Sequence, residues 1–95
     1  MGQSKRAHIV ISGRVQGIGF RYYARSWATS LSLTGWVQNR PSGQVEVVVE
    51  GDETALLDLI RRMKEGPPLA QVDALDVEWE AYLGDFADFR IVRYR

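Results

Sequence analysis

From Ala7 to Gly13 (AHIVISG) the chain is apolar and β-branched and stops on a glycine, the pattern of a strand. Arg14–Gly19 (RVQGIG) follows as a glycine-bearing loop. At Phe20 the period lengthens: Phe20, Ala24, Trp27, Ala28 and Leu31 fall at offsets of 0, 4, 7, 8 and 11, one stripe of a helix. Trp36–Arg40 (WVQNR) reads as a short second strand. Pro41-Ser42-Gly43 is a tight turn, with Pro suited to the second and Gly to the fourth position of a type I turn. Gln44–Glu50 sets Val45, Val47 and Val49 against Glu46, Val48 and Glu50, which predicts a half-buried strand hairpinned to the one before it.

Asp52 suits the N-cap of a second helix whose apolar face is Leu56, Leu57, Ile60 and Met63, and Gly66 with Pro67 and Pro68 ends it. Val72–Tyr82 alternates again, Leu75, Val77 and Trp79 against Asp76, Glu78 and Glu80, and Phe89–Tyr94 is a last extended segment. The order is β-α-β-β-α-β plus a short C-terminal strand. This predicts an α+β, ferredoxin-like split βαβ sandwich, with two helices on one face of an antiparallel sheet. Residues 7–95 then form one domain behind a loose, polar Met1–Arg6. The fold alone assigns no chemistry, because many unrelated functions share it.

Charge narrows the options. Twelve basic and twelve acidic residues cancel, so overall charge argues against sequence-independent nucleic-acid binding, which needs excess Lys and Arg. The absence of cysteine removes disulfides, thiolate metal sites and Cys nucleophiles, and a single His cannot build a His-based metal cluster. No apolar run approaches the ~20 residues of a membrane-spanning helix. A cytoplasmic location, no membrane partner and a monomer are the expectations.

The loop before the first helix is the informative segment. Its N–H groups lie beside the unbonded N–H groups of the helix's first turn, a ready anion site. Gly17 and Gly19 permit angles that turn successive amides into one concavity. Arg21 stands in the first helical turn, where a cation is disfavoured unless an anion joins it. The plainer alternative is an ordinary glycine-containing connection with a solvated arginine. The loop is neither a Walker A motif nor the dinucleotide G-x-G-x-x-G pattern.

Gly13–Arg21 (GRVQGIGFR) resembles the signature of the acylphosphatase family, commonly G-R-V-Q-G-V-G-F-R. Gly35-Trp36-Val37-Gln38-Asn39, with the turn and Gln44-Val45-Glu46-Val47, resembles that family's second block, and Phe89-Arg90-Ile91 its closing strand. The departures are Ile18 for the usual Val, and Ser32 where a Gly often sits. The resemblance implies hydrolysis of acyl phosphates, with inorganic phosphate as product and inhibitor, and no metal, cofactor or phospho-enzyme. It implies that the backbone amides of Val15, Gln16, Gly17, Ile18, Gly19 and Phe20 cradle the phosphoryl group. By the same resemblance Arg21 binds that group and Asn39 positions the attacking water.

The chemistry is consistent with these residues. A carboxylate leaves an acyl phosphate without a general acid, so electrostatic stabilisation and one placed water can suffice. Other residues read more plainly: His8 as a structural or surface residue, Asp73, Asp76, Glu78 and Glu80 as a solvated face, Trp27 and Trp36 as packing. Two alternatives stand beside the enzyme. One is a non-catalytic module holding a phosphorylated ligand, RNA or a protein, for which an open face showing His8, Val10, Glu46 and Glu50 is a poor stacking platform. The other is a domain of a larger carbamoyl-phosphate-handling enzyme; the lack of a linker at either end leads us to expect a free-standing protein.

Overall fold

A computed structural model describes residues 3–93. Its elements are β1 (Ser4–Arg14), α1 (Phe20–Ser30), β2 (Thr34–Asn39), β3 (Val45–Asp52), α2 (Glu53–Glu65), β4 (Gln71–Glu80) and β5 (Phe89–Ile91). The strands form one sheet in the order β4-β1-β3-β2-β5. The first four pair antiparallel as expected, and β5 adds a parallel edge beside β2, which makes the sheet mixed. The chain's return between β4 and β5 crosses the open face, and that crossing sets the direction of β5.

Both helices cover one face. Ala7, Ile9 and Ile11 of β1, Val37 of β2, and Val45, Val47 and Val49 of β3 meet Phe20, Ala24 and Ala28 of α1 and Leu56, Leu59 and Met63 of α2. The stripe read for α1 holds. On α2 the inward residue is Leu59, whereas Leu57 is 52% exposed. Positions 56, 59 and 63 make a tighter stripe against β3 than the broader set expected, and Leu57 falls at its edge. Asp52 occupies the N-cap position of α2 without making a side-chain cap bond.

Two boundaries shift for a tertiary reason. β1 begins at Ser4, so Ser4–Arg6, expected to be loose, lie in a strand that pairs with β3 on one side, Arg6 also pairing with Glu80 of β4. β5 ends at Ile91, and Tyr94 of the expected last segment lies outside the described residues. Among the described residues no helix is long and apolar enough to cross a membrane.

β3 departs most from its pattern. Every residue from Val45 to Glu50 is buried, not only the helix-facing valines. Glu50 is 1% exposed because the return segment lies over it: its carboxylate accepts the backbone N–H groups of Leu83 at 2.8 Å, Gly84 at 3.1 Å and Asp85 at 3.2 Å. Arg6 adds an ion pair at 3.3 Å and stacks its guanidinium over Phe86 of the same segment. A buried carboxylate is tolerable when it is charge-paired and accepts several hydrogen bonds, and Glu50 meets both conditions.

Candidate active site

The loop between β1 and α1 is fixed at both ends by apolar side chains. Val15 and Phe20 are each 1% exposed and sit in the core, while Gly17 and Gly19 between them face solvent. Gly17 has φ 77° and Gly19 φ 81°, left-handed angles, and a Cβ at either would meet nothing within 4 Å. Backbone conformation, not space, therefore demands glycine at these two positions. Gly19 is the N-cap of α1; no side chain caps the helix and no acidic residue stands in its first turn. The positive end of the helix dipole thus opens onto this loop without an internal counter-charge.

Arg21 lies half-buried in that first turn, and among the described residues nothing pairs with its guanidinium. Tyr22 beside it is exposed, with Arg25 over its ring at 5.3 Å.

Asn39 closes β2. It pairs with Val45, which pairs in turn with Ile11, so Asn39, Val45 and Ile11 form one row at the end of the sheet where the loop leaves β1. Its parity matches the buried Val37, which places it on the helix-covered side, and α1 packs against β2 there. The structure therefore brings the loop, Arg21 and Asn39 to one end of the molecule. The Oδ1 atom of Asn39 is buried, and no protein group among the described residues satisfies it. Buried polar atoms are rarely left so, and each one calls for an explanation.

Two features of this region were not read from the sequence. Gln16 reaches across from the loop, its Nε2 donating to the carbonyls of Arg40 at 2.8 Å and Gln44 at 2.9 Å. On the opposite sheet face Glu46 gathers Arg40, His8 at 2.6 Å and Gln38 at 2.7 Å. The hydrogen bonds from Arg40 are the main cause that brings the Glu46 carboxyl down to about 2, with His8 and Gln38 assisting against the cost of burial. His8, Glu78 and Glu80 bring possible ligand atoms within 4.8 Å of one another, but His8 Nε2 already meets Glu46 and Glu80 meets Arg6 at 3.1 Å. The structural reading of His8 agrees with this network.

Comparison with known proteins decides the family. The acylphosphatase family model matches residues 7–91. This chain belongs to the acylphosphatase family. An acylphosphatase of Acaryochloris marina is 51% identical over 84 residues, 88% of this chain and 89% of its own. One from Pelotomaculum thermopropionicum is 48% identical over 86 residues, 90% and 94% of the two chains. Among solved structures, an acylphosphatase from Bacillus subtilis superposes with a TM-score of 0.90 at 39% identity, covering 93% of this chain and 98% of its own. The acylphosphatase resemblance of the glycine loop and the G-W-V-Q-N strand thus extends to nearly the full chain and to the fold.

Proposed function

We propose that the protein hydrolyses the carboxyl–phosphate anhydride of acyl phosphates, with the loop amides of residues 15–20 and Arg21 holding the phosphoryl group and Asn39 placing the water. Relatives that bear the name acylphosphatase at 48% and 51% identity support the reaction class. The observation that carries the assignment of roles is the buried, unsatisfied Asn39 Oδ1 at the same sheet end as the glycine loop and Arg21.

The amide oxygen accepts one hydrogen of a water and leaves a lone pair of its oxygen free for phosphorus. The water oxygen–phosphorus bond forms as the phosphorus–acyl oxygen bond breaks, and the carboxylate departs with the electron pair. The water's proton passes to a phosphoryl oxygen or to solvent, because an amide is no general base. Arg21 can grip two equatorial oxygens through its planar fork while the helix end and loop amides meet the rest. A phosphate monoester, which must expel an alkoxide, would need an acid that these residues do not supply. The open face offers nucleic acid little, since Glu46 is paired there and residues 83–85 cover Glu50.

The test is turnover of a simple acyl phosphate with chelator present throughout, together with inorganic phosphate as competitor. We expect turnover to persist and phosphate to inhibit competitively. Phosphate at a hundred times its Kd should also stabilise the native state by about 2.7 kcal/mol. If saturating phosphate left both KM and Tm unchanged, the cradle would be misassigned.

A further inference from the structure

Gln16 makes contacts that service as one amide of a cradle does not require. Its Nε2 donates to Arg40 O at 2.8 Å and to Gln44 O at 2.9 Å. Those carbonyls already close the neck of the β2–β3 hairpin, where Arg40 N–H meets Gln44 O at 2.8 Å and Gly43 N–H meets Arg40 O at 3.0 Å. A primary amide carries two N–H donors on one nitrogen, which is what two converging carbonyls need. A carboxylate offers no donor at all. From the other sheet face the same neck is held by the Arg40 guanidinium on Glu46 at 2.9 Å. Asn39 is the residue immediately before that neck.

We propose that Gln16 is a positioning residue that sets the spacing between the phosphate cradle and the water held by Asn39. The inference rests on the roles given under Proposed function. The phosphorus is located by the β1–α1 loop and the nucleophile by the hairpin, two segments that are far apart in sequence. In-line attack needs the reacting atoms about 3–3.5 Å apart, and a misplacement of about 1 Å can cost a hundredfold. The β1–β3 pairing and the Gln44 Nε2–Ser12 Oγ bond at 2.9 Å join the strand ends, and the Gln16 side chain ties the loop itself to the hairpin neck. The cradle's own shape comes from Gly17, Gly19 and the helix end, so phosphate affinity does not depend on the tether, whereas kcat does.

Gln16→Ala, Gln16→Glu, Asn39→Ala and the double variant Gln16→Ala/Asn39→Ala would be assayed for kcat, phosphate Ki and Tm. In Gln16→Ala we expect kcat to fall about tenfold or more while phosphate Ki stays within about threefold. Gln16→Glu keeps the shape but sets carboxylate oxygens against two carbonyls. It should be as poor at neutral pH and gain on the wild type as acid protonates the new carboxyl and restores one donor. The double variant should lose no more than Asn39→Ala alone, since no placed water remains to be misplaced.

A Gln16→Ala enzyme with kcat within about twofold of wild type, whatever its Tm, would overturn the proposal. So would losses that multiply in the double variant, or a phosphate Ki that rises in step with the loss of kcat. Failure of the underlying roles looks different: wild-type enzyme untouched by phosphate, or Asn39→Ala fully active.

Discussion

Arg40 grips Glu46 at two points, its Nε donating to Oε1 at 3.1 Å and its Nη2 to Oε2 at 2.9 Å, on the sheet face opposite the helices. His8 and Gln38 complete the carboxylate's shell at 2.6 and 2.7 Å. Lowered from 4.5 in the unfolded chain to about 2, this carboxyl contributes stability that is fully present above pH 4.5 and is lost as pH falls toward 2. Glu46→Gln should therefore cost about 1–2 kcal/mol at neutral pH, after allowance for solvent screening. The gap to wild type should close between pH 4.5 and 2. Urea midpoints of both proteins across that range would show it; a gap independent of pH would assign the loss to packing.

Arg21→Lys keeps a charge and loses the planar fork. Loss of one well-placed contact to a charged transition state typically costs about a hundred- to a thousandfold, and kcat/KM should fall by that order. With its guanidinium unpaired among the described residues, the substitution should leave Tm within about 3 °C of wild type. Activity close to wild type would take the guanidinium out of the transition-state contact.

Asn39→Ala separates water placement from phosphate binding. A drop of about a hundredfold in kcat is expected, with phosphate Ki unchanged. Because the Oδ1 atom is buried without a protein partner, its removal breaks no hydrogen bond within the described residues, so Tm should stay close to wild type. A variant that is destabilised yet fully active would make Asn39 a shaper of the hairpin only. Asn39→Asp, nearly the same size, puts a negative charge beside an anionic substrate and should also be poor.

Much of this was legible in the chain because it is local. The glycines at 17 and 19, the arginine after them and the stripe from Phe20 to Ala28 each depend on neighbours within a turn or two. The return segment was not legible. Glu50 reads as an outward-facing residue by alternation, and only residues 83–85, more than thirty positions later, bury it. Gln16 looks like one more polar loop residue, since its partners are backbone carbonyls 24 and 28 residues away, and carbonyls leave no mark in a sequence. Leu57 and Leu59 could exchange places by periodicity alone; the position of β3 beneath α2 decides between them.

β1, an interior strand of the sheet, is made first. Both partners of β1 come later in the chain: Arg6 faces Glu50 on one side and Glu80 on the other. At about 5–20 residues per second on the ribosome, β1 waits seconds for each edge to be covered. In that interval it carries unpaired backbone on both sides and the apolar row of Ala7, Ile9 and Ile11. Pairings this distant raise the contact order, so the topology that seats the glycine loop at the sheet's end should slow folding relative to a helical chain of the same length.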